Sequence, residues 1–350
     1  MTITTDALVA ETAGAPFVMR SIEHRDLRDD DVLIDIAYAG ICHSDIHQVR
    51  EEWGKAIFPM VPGHEIAGTV AAVGSGVTKY KVGDRVGVGC MSDSCGECTY
   101  CKDGEEQYCD KGAVMTYNGR GYDGVPTMGG YAKQAVVTER FVVRIPDGLE
   151  LDEAAPLLCA GITTWSPLKR WGAGPGKKVA VVGLGGLGHM AVKFAHALGA
   201  EVTVLSRSDA KKDDALTLGA DDYIATENIA VFRENKRRFD LIINTVSAEL
   251  PMDFYLAMLK PLGAMVNVGL PTTNYNLRPN SVVGGSKILA GSTIGGIPGT
   301  QEMLDFAAAH GIGSTIEKIS ADQVDAAYER VVAGDVRYRF VIDTSTIAAG

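Results

Sequence analysis

The chain of 350 residues contains no run of roughly 18 consecutive apolar residues, so nothing in it reads as a membrane-spanning helix. It has no basic run either. Its 33 Lys and Arg stand against 44 Asp and Glu, a formal net charge of −11. An acidic chain of this kind is a poor partner for nucleic acid or for an anionic membrane surface. The opening Met1-Thr2-Ile3-Thr4-Thr5-Asp6 lacks the basic start and apolar stretch of a secretion signal, and a cytoplasmic location is the expectation. No internal repeat or low-complexity tract is present. The seven cysteines are odd in number, which in a reducing compartment argues against a disulfide framework. What the chain does have is 46% hydrophobic and 22% charged residues, enough to fill a core, and a length of about two domains. Glycine is abundant, at 41 residues, and clusters where turns are expected.

Four of the cysteines form a local group, Cys95-x2-Cys98-x2-Cys101-x7-Cys109. Four thiolates close a tetrahedral shell around Zn²⁺, and a closed shell is a structural site rather than a catalytic one. An iron–sulfur cluster fits less well. The bacterial ferredoxin run places its fourth cysteine after three residues and follows it with proline. Here the gap is seven residues and Asp110 follows.

Hydrophobic patterning divides the chain. Residues 31–39, 66–73, 86–88 and 132–143 read as strands separated by turns such as Gly74-Ser75-Gly76 and Gly83-Asp84. From about 177 strands and helices alternate. Strands are expected at 179–182, 202–205, 241–243 and 265–268, with helices at 187–198, 210–218 and 251–259. Short connections between such elements imply a parallel sheet covered on both faces. The tail is expected to hold helices at 302–309 and 321–333 and a last strand at 339–342.

The turn Gly183-Leu184-Gly185-Gly186-Leu187-Gly188 matches G-x-G-x-x-G, follows a predicted strand and opens a predicted helix. In that context the motif binds a dinucleotide. The first glycine permits the turn, the second admits the pyrophosphate and the third lets helix and strand pack closely. About 20 residues on, an enzyme selecting NAD carries an acid for the ribose 2′-hydroxyl. No acid is there. Ser206 holds the position, with Arg207 beside it and Lys211 one helical turn on. A hydroxyl and two cations suit the 2′-phosphate of NADP.

Three scattered fragments remain: Gly40-Ile41-Cys42-His43-Ser44-Asp45-Ile46-His47, Pro62-Gly63-His64-Glu65 and Leu157-Leu158-Cys159-Ala160-Gly161-Ile162-Thr163. Cys42, His64 and Cys159 would make a Cys₂His site with a vacant fourth position, which suits a catalytic zinc acting on an alcohol or carbonyl oxygen. Spacing alone does not bring them together, and three ordinary buried residues is the competing interpretation.

These fragments, the four-cysteine lobe and the glycine turn occur in the order seen in zinc-dependent medium-chain alcohol dehydrogenases, and the chain resembles that family over nearly its whole length. Within the family it resembles the cinnamyl alcohol dehydrogenase branch, including bacterial NADP-dependent broad-range aldehyde reductases. The resemblance implies an α/β fold: a β-rich GroES-like catalytic domain from residues 1–157 and 297–350, with its zinc lobe at 95–109, and a doubly wound Rossmann domain at 158–296. It implies two zinc ions per chain, one catalytic and one structural, NADP(H), and a homodimer.

The resemblance also assigns roles. Cys42, His64 and Cys159 become ligands of the catalytic zinc, Glu65 an adjacent carboxylate able to replace water on it, and Asp45 the group orienting His64. Ser44 matches the hydroxyl that touches the substrate oxygen, and His47 the outer end of a proton relay. His43 falls near the cofactor pyrophosphate and Thr163 near the nicotinamide. Thr245, Val246 and Ala248, then Val268, Gly269 and Leu270, then Ser292, Thr293 and Ile294, match segments lining the cofactor. Trp53, Met60, Cys90, Met115 and Ile294 match substrate-pocket positions. Met115 stands where plant lignin enzymes commonly have tryptophan, which argues against a dedicated hydroxycinnamyl substrate.

The activity this implies is reversible hydride transfer between NADPH and aromatic or medium aliphatic aldehydes. A polyol or terpenoid alcohol dehydrogenase on the same scaffold is the alternative. A non-catalytic NADPH-binding protein would have no use for Cys42, His64 and Cys159 together. A zinc-ribbon nucleic-acid binder would need a basic face around residues 95–109, where Glu97, Asp103, Glu105, Glu106 and Asp110 supply the opposite charge. His24, His196 and His310 read as surface histidines, His189 as helix packing, and Trp165 and Trp171 as core between the domains.

Overall fold

A computed structural model describes residues 2–271 and 273–349. The chain divides into two compact units, one formed by Met1–Cys159 with Gly295–Gly350 and the other by Ala160–Ile294.

The first unit is built on a seven-stranded sheet. Its path runs Ile316–Ile319, Arg339–Asp343, Asp31–Gly40, Ile66–Val73, Arg85–Val88 and Val143–Arg144, and Gln134–Thr138 also pairs with the Asp31–Gly40 strand. Asp31–Gly40 is central. It is largely buried along its length, which is why its sequence is apolar almost throughout rather than strictly alternating. It pairs antiparallel with Arg339–Asp343, so the tail of the chain returns to the heart of this unit. The core beside it gathers Ile41, Ile46, Met60, Tyr131, Tyr328 and Phe340.

Two expectations for this unit need correction. The stretch 132–143 is not one strand. It is Gln134–Thr138, a 3₁₀ turn Glu139–Phe141, and Val143–Arg144. The break falls where the Glu139 carboxylate turns to accept the amides of Thr78 and Lys79. The helix expected at 302–309 begins earlier, at Ile297, with a proline in its first turn. There the Glu106 carboxylate accepts the Ile297 amide at 2.9 Å, satisfying one of the orphan donors of the helix start.

The second unit is an all-parallel six-stranded sheet in the order Asp222–Ala225, Glu201–Ser206, Lys178–Val182, Phe239–Asn244, Leu259–Asn267, Ile288–Gly291. Numbered within the unit this is 3-2-1-4-5-6, the doubly wound order whose switch point lies beside the first strand. That strand, Lys178–Val182, is buried from its second residue on. It feeds the glycine turn and the helix Gly188–Ala197. Trp165 packs inside this unit, edge-on to Phe194 with ring centroids 5.4 Å apart.

Candidate active site

The two groups of metal-donor side chains both lie in the first unit. The Sγ atoms of Cys95, Cys98, Cys101 and Cys109 all fall within 4.8 Å of one another. Cys95–Cys101 is 3.9 Å and Cys98–Cys101 3.4 Å. A tetrahedral centre with metal–sulfur bonds of about 2.3 Å has sulfur–sulfur edges of about 3.8 Å, so this set fits zinc. Backbone amides converge on the sulfurs as they do around thiolates. The Cys98 amide points to the Cys95 sulfur and the Cys95 amide to the Cys109 sulfur, each at 3.4 Å. The amides of Asp110 and Cys101 lower the pKa of the Cys98 thiol. Burial raises that of Cys109, but hydrogen bonds led by the Cys95 amide outweigh it and bring it to about 6.

The second group is Cys42, His64, Glu65 and Cys159, all buried, with one ligand atom from each within 4.8 Å of the others. Cys42 and Cys159 sulfurs are 4.0 Å apart. Cys42 precedes the short helix His43–Val49, His64 and Glu65 precede the strand Ile66–Val73, and Cys159 follows the 3₁₀ turn Ala155–Leu158. Residues 117 positions apart in the chain thus reach one point.

The chemistry of this set seeks a cation. The Cys159 hydrogen bond pulls the Cys42 thiol well below its usual pKa, against burial. Burial opposes charge on His64, yet the Asp45 carboxylate and the neighbouring sulfurs hold its pKa well above the ordinary imidazole value. Burial raises Glu65 to about 7 against the pull of Arg339. Glu65 is ion-paired to the buried Arg339 through Oε1, while its Oε2 has no hydrogen-bond partner among the described residues. An orphaned carboxylate oxygen beside two thiols and an imidazole is what a metal cation would satisfy.

Around this set the expected supporting residues fall as follows. Asp45 is fully buried and its Oδ1 accepts from His64 Nδ1 at 2.9 Å, leaving Nε2 for a ligand role. Ser44 Oγ stands 3.6 Å from the Cys42 sulfur. His47, on the same helix, is hydrogen-bonded through Nδ1 to Glu52 and stacked on Trp53 with centroids 4.7 Å apart. Sequence reasoning missed Glu52. Its only signal is a carboxylate five residues after a relay histidine, in the turn beyond the helix His43–Val49, and acids in turns are too common to notice. His43 is exposed. Cys90 is buried, and a hydrogen bond with Cys159 lowers its thiol pKa. The Cys90 carbonyl accepts the amide of Thr116 at 3.0 Å, which brings Met115 close by with 45% of its surface exposed. Trp53 is also exposed, whereas Met60 is only 2% exposed and packs in the core.

In the second unit the glycine turn has the form a dinucleotide requires. Gly183 has φ +87°, and a Cβ there would stand 2.6 Å from Val246 Cγ2. Gly188 lies against the Gly183 carbonyl with no room for a Cβ. Gly185 faces open space, with nothing within 4 Å of where its Cβ would be. That is the place where a pyrophosphate would approach the backbone. Gly186 and Leu187 complete the turn.

The neighbouring elements frame the turn. Thr245 Oγ donates to the Val182 carbonyl at 2.8 Å. The amides of Val268 and Gly269 donate to Asn244, that of Leu270 to the Ser247 hydroxyl and that of Ser292 to Asn267. Ala248 and Thr293 are exposed, Thr163 is buried in the helix Ala160–Arg170, and Ile294 has φ +35°. Ser206 ends its strand, and the exposed Arg207 follows it. The Lys211 ammonium donates to the Leu184 carbonyl at 2.8 Å, which brings a cation to the rim of the turn. His189 is fully buried with Nδ1 toward the Gly185 carbonyl at 3.2 Å, consistent with helix packing.

Comparison with known proteins shows the family. Residues 28–147 match the alcohol dehydrogenase GroES-like domain and residues 186–309 the zinc-binding dehydrogenase domain. The chain belongs to the zinc-binding alcohol dehydrogenase family. A protein of Bacillus subtilis named probable formaldehyde dehydrogenase is 62% identical over 98% of each chain. An NADP-dependent alcohol dehydrogenase C of Mycolicibacterium smegmatis is 57% identical over 98% of this chain and 99% of its own. Among solved structures, a cinnamyl alcohol dehydrogenase from Sorghum bicolor superposes with a TM-score of 0.96 at 46% identity, covering 99% of both chains. No helix among the described residues is long and apolar enough to cross a membrane.

Proposed function

We propose that the chain is a zinc-dependent, NADP(H)-linked aldehyde reductase and alcohol dehydrogenase, interconverting aromatic or medium aliphatic aldehydes and their primary alcohols. The observation that carries this is the buried Cys42–His64–Glu65–Cys159 donor set with a hydroxyl, Ser44, 3.6 Å from one of its sulfurs. The NADP dependence named for the Mycolicibacterium relative supports the cofactor, and the Sorghum structure supports the substrate class.

In this reading Cys42, His64 and Cys159 hold the catalytic zinc, Glu65 is a reserve ligand, and Cys95, Cys98, Cys101 and Cys109 hold the structural one. Gly183 to Gly188 seat the pyrophosphate, and Ser206, Arg207 and Lys211 take the 2′-phosphate. When bound, the metal supplies a Lewis acid for the carbonyl oxygen and the dinucleotide supplies the hydride. Ser44 Oγ donates the proton that turns the product oxygen into a hydroxyl. His47, on the same short helix and held at Nδ1 by Glu52, would exchange the relayed proton with solvent. Trp53, Cys90 and Met115 of the first unit are offered to the substrate tail, with Met60 packed in the core behind them.

The enzyme works in the cytoplasm as a homodimer. The outer edge of the Ile288–Gly291 strand is unpaired among the described residues, and Leu262, Val283 and Ile288 are exposed nearby, which supports the dimer. The test follows NADPH absorbance with panels of benzaldehydes and cinnamaldehydes, aliphatic aldehydes, and polyols in reverse. Aldehyde-dependent oxidation of NADPH well above that of NADH is expected. No turnover with any aldehyde or alcohol in enzyme carrying both metals overturns the proposal.

A further inference from the structure

We propose that Tyr131, supported by Tyr328, is a positioning residue for the catalytic metal: its phenol completes the hydrogen bonding of Asp45 and thereby fixes His64. The proposal rests on the reading of Cys42, His64 and Cys159 as metal ligands.

Asp45 is a fully buried carboxylate with four hydrogen-bond donors at 2.9–3.3 Å, and the Tyr117 phenol also faces it. Oδ1 accepts from His64 Nδ1 at 2.9 Å and from the Gly63 amide at 3.2 Å. Oδ2 accepts from the Cys42 amide at 2.9 Å and from the Tyr131 hydroxyl at 3.3 Å. The carboxylate therefore ties the backbone that carries Cys42 to the ring of His64. Three of its four bonds come from the ligands or from the residue next to one. The fourth comes from a side chain that touches no ligand through its hydroxyl and belongs to a different segment.

That side chain is seated with care. Tyr131 is fully buried, its amide donates to the Pro62 carbonyl at 2.9 Å and its ring lies against Gly63, where a Cβ would stand 2.5 Å from Tyr131 Cδ1. The glycine of Pro62-Gly63-His64-Glu65, at φ +101°, thus makes room for the phenol as well as for the turn. Behind it, the Tyr328 hydroxyl donates to the Tyr131 hydroxyl at 3.4 Å. Phe17 packs on both rings, with centroids 6.0 Å from Tyr131 and 5.4 Å from Tyr328. The chain of contacts Tyr328–Tyr131–Asp45–His64 runs through buried residues from the helix Val324–Ala333 to the donor set. A carboxylate that loses one of its close bonds can turn about its Cα–Cβ and Cβ–Cγ bonds more freely, and the imidazole it orients follows. Partners of this kind behind a metal ligand typically matter about 10- to 100-fold in metal affinity or activity.

The experiment uses the holoenzyme with both metals, and its cobalt-substituted form. Tyr131→Phe keeps the ring and removes the hydroxyl. It is expected to lose the catalytic-site metal to a chelator about tenfold faster, and its cobalt d–d absorption should shift in energy. The Cys95–Cys109 metal and the melting temperature should change little. Tyr328→Phe leaves the bond to Asp45 but removes its support, and should lie between wild type and Tyr131→Phe. A folded Tyr131→Phe with wild-type cobalt spectrum and wild-type release overturns the proposal. If Tyr131→Phe does not fold, Tyr328→Phe decides by the same two measurements. Wild-type enzyme that binds one metal only overturns the reading of the donor set itself, a result distinct from two metals and an indifferent Tyr131.

Discussion

Gly188 lies directly against the carbonyl oxygen of Gly183, with no room between them for a methyl group. The glycines of one motif therefore answer to different forces. Gly188→Ala sets a Cβ against backbone, so the helix Gly188–Ala197 must move at its start. It should cost about 1–3 kcal/mol of stability by overpacking and weaken NADPH as well. Gly185→Ala meets nothing within 4 Å in the free protein and should leave stability near wild type while weakening NADPH strongly. Urea unfolding and NADPH fluorescence titration of the two variants separate the effects. Equal loss of stability in both would show that the turn is strained throughout rather than open at its second glycine.

The cofactor preference is assigned to Ser206, Arg207 and Lys211. Arg207→Ala should weaken NADPH by about 10- to 150-fold, the equivalent of a charge-assisted hydrogen bond of roughly 1.5–3 kcal/mol, and leave NADH nearly unchanged. Lys211 also bonds the Leu184 carbonyl. Lys211→Met should therefore weaken both cofactors, NADPH more. Parallel kcat/KM measurements with the two cofactors check this. A wild-type enzyme indifferent to the 2′-phosphate removes the basis of the assignment.

How much of this was legible beforehand depended on range. The strand 66–73 was bounded correctly because Gly74-Ser75-Gly76 stops it in sequence. The stretch 132–143 does not announce its break, because that break depends on Glu139 meeting Thr78 and Lys79, 61 and 60 residues away. The short edge strands Asp222–Ala225 and Ile288–Gly291 carry too little periodicity to announce themselves. The four-cysteine lobe is local and its spacing is its own evidence. Cys42, His64 and Cys159 are not local. Their meeting was an implication of family resemblance, and the folded chain gives it a distance. Glu52, Tyr131 and Tyr328 were not anticipated, since an acid or a tyrosine has no spacing that marks it as supporting a ligand.

The two donor sets should respond differently to substitution. Cys98→Ser leaves three sulfurs and should release the structural metal. Because metal binding at such a site is folding free energy, the melting temperature should fall by several degrees or more. His64→Ala should release the other metal and abolish turnover while the fold is largely kept. Elemental analysis of each variant, with thermal unfolding, checks the division. One metal remaining in each, but with the stability loss in His64→Ala instead, would reverse the assigned roles.

Asp253 offers a pH test away from any metal donor. Its carboxylate accepts the Ser281 hydroxyl, the Arg278 amide at 3.1 Å and Arg278 Nε at 2.8 Å. The Ser281 bond is the largest cause that lowers its pKa, with the Arg278 bonds behind it and burial opposing. A carboxylate whose folded pKa is depressed stabilises the fold above its unfolded pKa, about 3.9, and loses that contribution as pH falls through the folded value. Asp253→Asn should cost about 1 kcal/mol at pH 7. The difference from wild type should shrink as pH is lowered below about 4. Urea unfolding of both proteins across that range measures it. A gap that widens toward low pH would mean the sign is wrong.

The substrate range follows from the side chains expected around the tail. On the proposed reading Trp53, Cys90 and Met115 offer apolar and polarizable surface, and a methionine re-packs around different shapes. Benzaldehydes, cinnamaldehydes and medium aliphatic aldehydes should all turn over. Apolar discrimination is worth only about 1–3 kcal/mol per methylene, so no single aldehyde should dominate by many orders of magnitude. A sugar alcohol would leave hydroxyls facing groups that cannot bond them, at about 1–3 kcal/mol for each one buried unsatisfied. Met115 is 45% exposed and sits beside the Cys90–Thr116 hydrogen bond, so a larger ring can be placed there without disturbing the core. Met115→Trp should keep the melting temperature and narrow the range toward flat aromatic aldehydes, lowering kcat/KM most for branched aliphatic ones. The measurement is kcat/KM over the panels in both proteins with NADPH. If mannitol or sorbitol outperforms every aromatic and aliphatic alcohol in the reverse direction, the polyol reading replaces the aldehyde one.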